Sequence, residues 1–298
     1  MKYVITGGAG NISKPLTLAL LKAGHDVIVI GRNAEHLKEL TNAGAKAAIG
    51  SVDDVSFLTH VFAGADAVYT MVPPRMDITA NWKQTIGQVG KNYTEAIKAN
   101  NIKYVVNLSS VGAHLADGCG PVSGLHIVEQ ELNSLTGVNV KHLRPMFFYA
   151  NLLANVGMIK HMNIIGNNFG GTNFKFALVD TNDIADAAFE ELSKLNFTGS
   201  SVRYIASDEV TTDEIAKEIG TAIGNPELPW VTFSDEQAYG GMVQAGLTEE
   251  IAKNYAEMGH AISNGTMYAD YWANHPSTLG KTKLKDFARV FATVYSQN

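Results

Sequence analysis

The chain has 298 residues, 46% of them hydrophobic and 17% charged, with 28 glycines and 8 prolines. That balance excludes disorder, a collagen-like repeat and a coiled coil, and leaves length for one large or two modest globular domains. With 23 Lys and Arg against 29 Asp and Glu, a net charge of −6 and no long basic run, nothing supports binding to a nucleic-acid backbone.

In chain order, Lys2–Thr6 is a short β-branched run, and a helix-period stretch follows it with Ile12, Leu16, Ala19 and Leu20 on one face. Further buried strands are expected at Asp26–Ile30, Ala45–Ile49, Ala67–Val72, Tyr104–Leu108 and Val138–Leu143, with a helix presenting Ile86, Val89, Tyr93 and Ile97 between the fourth and fifth. Alternation at this spacing implies a parallel sheet covered on both faces, a doubly wound α/β domain over residues 1–150. After Pro145 the pattern changes. Gly and Asn cluster between 166 and 173, one strand is expected at Val202–Ala206, and helical patterns dominate. Thr211 with Glu214 and Ser234 with Gln237 match capping boxes, which place helix starts near 212 and 235. Residues 151–298 thus read as a smaller, mostly helical portion that binds substrate or closes as a lid over the sheet's carboxyl edge, with some segments returning to the sheet.

Thr6-Gly7-Gly8-Ala9-Gly10-Asn11-Ile12-Ser13 lies between the first strand and the first helix. A dinucleotide pyrophosphate needs a tight turn there, a backbone it can approach, and free amides at a helix N-terminus. Gly7 and Gly10 meet the first two needs and Asn11 and Ile12 lead into the helix, so the domain reads as a Rossmann cofactor domain. Ser13 takes the place of the usual third glycine and is small enough to do so. The second strand ends Ile30-Gly31-Arg32-Asn33, without the acid that would bind a ribose 2′-hydroxyl. Arg32 is suited to a 2′-phosphate, which favours NADPH, or is an ordinary surface arginine. Asp53 is placed to accept from the adenine amino group; Asp53 or Asp54 is otherwise a helix cap.

The single cysteine, Cys119, removes any internal disulfide and fits a reducing compartment. It is reactive if exposed and inert if buried. The N-terminus reaches Gly7 before any signal-peptide stretch develops, and no apolar run approaches membrane-spanning length, so a cytoplasmic location is expected. No His pair with an intervening acid and no G-x-S-x-G elbow occurs, which argues against zinc and hydrolase chemistry. Phe147, Phe148 and Tyr149, with Asn151 beyond them, follow the sixth strand and are read either as an apolar wall for a flat substrate ring or as core filler between the two portions.

Together the glycine loop, Gly31-Arg32-Asn33, Gly64-Ala65-Asp66-Ala67-Val68, Leu143-Arg144-Pro145 with Phe148 and Asn151, and Asp183-Ile184-Ala185 resemble the NmrA-like group of atypical short-chain dehydrogenases. The likeness is strongest to its NADPH-dependent quinone reductase branch. The resemblance implies that Val72 and Pro73 pass close to the cofactor and that Ser109 runs past the nicotinamide. It also implies that the tyrosine and lysine of the ordinary dehydrogenase pair are replaced by Val122 and His126. His126 and Ser109 then become the candidate catalytic residues, with His126 also orienting the ribose, and a sugar epimerase, which needs the tyrosine, is disfavoured. Two functions stay open: hydride transfer from NADPH to a quinone or similar conjugated carbonyl compound, and NADPH sensing without turnover. The expected partner is a quinone-like small molecule, with no nucleic acid and no membrane; a homo-oligomer is left open.

Overall fold

The computed structural model describes residues 1–171 and 174–297; Thr172 and Asn173, at the end of the Gly and Asn cluster, lie outside them. The first half runs β1 (Lys2–Ile5), α1 (Ser13–Lys22), β2 (Asp26–Gly31), α2 (Lys38–Asn42), β3 (Lys46–Ile49), α3 (Val55–Phe62), β4 (Ala67–Thr70), α4 (Trp82–Ala99), β5 (Tyr104–Leu108), α5 (Pro121–Asn133) and β6 (Asn139–Pro145). The second runs β7 (Phe147–Phe148), α6 (Val156–Met162), β8 (Ile165–Asn167), β9 (Lys175–Val179), α7 (Thr181–Lys194), β10 (Ser200–Ile205), β11 (Asp208–Thr211), α8 (Thr212–Ala222), β12 (Trp230–Thr232), α9 (Asp235–Gln244), α10 (Glu249–Ser263), α11 (Ala269–Ala273) and α12 (Leu284–Gln297).

Seven strands form one parallel sheet in the order β10-β6-β5-β4-β1-β2-β3. Alternate side chains enter two separate cores, as the period of a strand requires. Tyr3, Ile5, Tyr69 and Val106 pack with Leu16 and Leu20 of α1 and Ile184 and Ala188 of α7. Val4, Val68, Val105 and Val140 pack with Leu58, Val89, Tyr93 and Val128 of α3, α4 and α5. Helices α4 and α5 approach closely at Gly90, where a Cβ would lie 2.9 Å from the Val128 Cα. The strand order reverses between β1 and β4, the topological switch point at which open α/β sheets hold their ligands.

The chain after residue 150 contributes β10 to this sheet, paired with β6 from Ser200↔Val140 to Ile205↔Pro145. Its helices α8 and α9 begin where the two capping boxes were expected: the Thr211 and Ser234 side chains accept from Glu214 N and Gln237 N, and both reciprocal bonds are present. It also carries strands the sequence reading missed. β11, β9 and β7 form a three-stranded sheet, and β12 pairs with β8. β7, β8 and β12, with two or three residues each, are too short to show a period.

Candidate functional site

The site is built on the switch point. Thr6 N donates to Tyr69 O at 3.0 Å and Thr6 Oγ1 accepts from Met71 N at 2.9 Å, which joins the ends of β1 and β4. The chain then turns through Gly7, whose φ of +92° favours glycine and where a Cβ would lie 2.5 Å from Ser13 Oγ. Ser13 is more than a small replacement: its hydroxyl donates to Thr6 O at 2.8 Å and braces the turn. No side chain caps the start of α1, and its first turn holds no acid. Within the first turn Pro15 has no N–H, and Lys14 N and Leu16 N donate to Gly10 O and Ile12 O at 2.9 and 3.1 Å, so the Ser13 N–H and the positive end of the helix dipole are what this start offers an anion.

Around this turn lies a cleft of about 780 Å³, within the range of cofactor pockets. Its lining brings together Gly7, Gly10, Asn11, Ile12, Arg32, Asp53, Val72 and Pro73 at the β1–β4 side, and Leu108, Phe148, Asn151 and Thr181 at the other. Arg32 is exposed at the rim directly after β2. Asp53 is joined to Ser51 by two 3.1 Å bonds, while Asp54 is the cap of α3, accepting from Phe57 N. The lining also holds residues that sequence reasoning missed, chiefly His36, Arg75 and Thr85. Pro73 and Pro74 mark a loop there, but a single sequence carries no signal for where Arg75 turns.

Four expected site residues stand outside this lining. Tyr149 is buried, stacked on Phe287 at 5.3 Å, because its ring closes the core under α12. Phe147 packs on Phe169 and Phe176, so only Phe148 of the three aromatics faces the cleft. Ser109 is buried and its hydroxyl donates to Glu129 Oε1 at 2.5 Å. His126, half-buried on α5, donates from Nδ1 to Ala113 O at 2.9 Å. Cys119 is buried and burial pushes its thiol up to about 12, so it is inert as a nucleophile.

Behind the cleft lies a buried polar group. Glu129 of α5 accepts from Arg144 of β6 at 2.6 and 3.0 Å, and Arg144 also donates to Tyr204 of β10 at 3.0 Å and to Asp270 of α11 at 3.1 Å. Burial works against the Arg144 charge, but the Glu129 carboxylate outweighs it and raises the guanidinium pKa further. Nearby, His142 is held between Asn107 and Asn133 at 3.1 and 2.9 Å, and burial lowers its imidazole to about 4. On the far side of this group a second cleft of about 770 Å³ runs along β10, lined by Arg203, Tyr204, Asp270 and Lys281.

Residues 7–129 match the sequence model of a family described as NAD(P)H-binding. The cofactor is NAD(P)H. Around this NAD(P)H-binding domain the whole chain shares its fold with solved reductases. The NADPH-dependent quinone oxidoreductase of Escherichia coli complexed with NADPH superposes with a TM-score of 0.79 at 19% identity, over 99% of this chain and 99% of that one. The triphenylmethane reductase of Citrobacter sp. gives 0.78 at 20% identity, over 98% of this chain and 100% of that one. A nucleoside-diphosphate-sugar epimerase of Staphylococcus aureus gives 0.79 at 16% identity, over 97% of this chain and 100% of that one. One fold therefore houses both reductases and an epimerase, and function has to be argued from the site. Among the described residues no helix is long and apolar enough to cross a membrane.

Proposed function

We propose that the chain is an NADPH-dependent reductase that delivers hydride to a quinone or a similar small conjugated carbonyl acceptor, without a Tyr-Lys pair. One observation carries this reading: the cleft whose floor is the uncapped start of α1 has Arg32, and no acid, at the end of β2. The Ser13 N–H and the positive end of the α1 dipole suit the pyrophosphate, and the Arg32 fork suits a 2′-phosphate. When bound, NADPH supplies the hydride. Leu108 and Phe148 offer an apolar surface for a flat ring, and Asn151 offers an amide that can donate to a carbonyl oxygen. A quinone gains hydride from the nicotinamide and a proton from water, so the cleft needs no tyrosine acid. In this reading His126, outside the cleft lining, acts only by holding the segment between β5 and α5 in place through its Nδ1 bond to Ala113 O. The resemblance to quinone reductases supports the same class.

The test is NADPH oxidation followed across a panel of quinones, beside a direct NADPH titration. Turnover with at least one quinone, and a far slower rate with NADH, is the expected result. Tight NADPH binding with no turnover on any acceptor would instead make the chain a nucleotide sensor. A His126→Ala variant is expected to change KM more than kcat, as loss of positioning does.

A further inference from the structure

Arg75 sits on the loop between β4 and α4 and lines the same end of the cleft as Arg32 and His36. Its guanidinium forms a fork on Asp77, with Nε 3.5 Å and Nη2 3.4 Å from the two carboxylate oxygens, and Nη1 lies 3.7 Å from Asp53 Oδ2. These are long contacts for charge-assisted bonds, which are usually about 2.7–2.9 Å. Arg75 is therefore held loosely. Asp77 is exposed; bonds from Arg75 chiefly, and the field of Arg32 as a lesser cause, hold its carboxyl below the usual range. The carboxylate thus feels both cleft arginines. The loop's far end is fixed, because Ile78 O accepts from Thr248 Oγ1 at 2.5 Å and Trp82 N donates to Glu250 Oε1 at 2.9 Å.

We propose that Asp77 is a built-in stand-in for the nucleotide's 2′-phosphate: the phosphate displaces it, and Arg75 transfers its fork from Asp77 to become, with Arg32, the second arm of a two-arginine clamp. The chemistry suits the exchange. A planar fork that fits a carboxylate also fits a phosphate, and the dianion gains more from two guanidinium groups than a single exposed carboxylate does. Arg75 is then a specificity residue for the phosphorylated nucleotide, and Asp77 is a competitor that only a 2′-phosphate has to displace, since a ligand without that group leaves the Arg75–Asp77 pair in place. This inference rests on the NADPH reading above.

The experiment titrates NADPH, NADH and the fragment 2′,5′-ADP into the wild-type chain and into Arg75→Ala and Asp77→Asn variants, with thermal melts confirming that each is folded. Arg75→Ala is expected to weaken NADPH and 2′,5′-ADP by about tenfold and leave NADH unchanged, as loss of one charge-assisted contact implies. Asp77→Asn is expected to tighten NADPH and 2′,5′-ADP several-fold, again without effect on NADH. Equal weakening of NADPH and NADH by Arg75→Ala, or no change from either substitution, overturns the clamp. If the wild-type chain itself fails to prefer NADPH over NADH, the NADPH reading falls as well; a wild-type preference that both variants retain removes the clamp alone.

Discussion

The molecule has two clefts of almost equal size, about 780 Å³ over the switch point and about 770 Å³ along β10, and they differ in what their polar groups have to do. Along β10 the charges are paired among themselves: Arg203 meets Glu190 and Glu191 at 2.8 Å each, Lys281 meets Asp186 at 3.0 Å, and Asp270 meets Tyr204 and Arg144. Over the switch point α1 starts with neither a side-chain cap nor an acid in its first turn, and Arg32 enters none of the ion pairs among the described residues. Volume is therefore a poor guide to a site. Donors aimed at a cleft without an internal partner are a better one, since satisfying them is what a ligand gains by binding.

Four measurements can break or sharpen this contrast. The largest effect is expected behind the β10 cleft, where Glu129→Ala would leave Arg144 buried beside a lost partner. Breaking a buried pair of this kind costs about 3–5 kcal/mol, to be read by urea unfolding, while NADPH affinity of the folded protein stays as it was. A loss below about 1 kcal/mol would show that the paired region is not what supports the fold.

The second effect is a pH dependence from the same layer. His142 has a folded pKa of about 4, below the unfolded value of about 6.5, so the unfolded chain binds the proton more readily. Its contribution is complete above about pH 6.5 and is lost as pH falls toward 4, reaching about 3 kcal/mol. His114, whose pKa burial also lowers, acts in the same direction. Stability should fall from pH 7 to 5, and a His142→Gln variant should lose much of that slope; an unchanged slope would remove His142 as its source.

Arg32→Ala tests the other side of the contrast. Loss of a guanidinium–phosphate contact is expected to cost roughly 1.5–3 kcal/mol, about one to two decades of NADPH affinity, with NADH binding unaltered. The smallest effect is expected from Arg203→Ala. Its half-exposed pairs contribute at most about 1 kcal/mol of stability, and NADPH binding should be untouched. A large affinity loss there would mean that the β10 cleft takes part in binding after all.

The parts of this molecule that were legible in the sequence are those specified by neighbouring residues. Tyr104–Leu108 was read with its exact bounds, and the two capping boxes marked their helix starts to the residue, because β-branched runs and caps act within a few positions. The turn at Gly7 was legible for the same reason. What was not legible depends on distant partners. Ser109 looked like a residue facing the nicotinamide until Glu129 was found to take its hydroxyl. Tyr149 looked like part of a substrate wall until Phe287, far along the chain, covered it. Arg75 was overlooked because a loop side chain is placed by the cleft it closes and not by its neighbours in sequence.

The late return of the chain to the sheet bears on how the protein is made. β6 gains its outer neighbour only when β10, about 60 residues further on, has been synthesised. At roughly 5–20 residues per second, β6 leaves the ribosome about 3–12 s before its partner and spends that time as an unpaired edge. Such edges invite pairing with other chains, and a lysine near their centre is a common protection. β6 carries Lys141 at that position, its ammonium 5.5 Å from the Phe197 ring centre once the sheet is complete. Lys141 thus stands where a charge on the open edge of β6 discourages such pairing before β10 arrives.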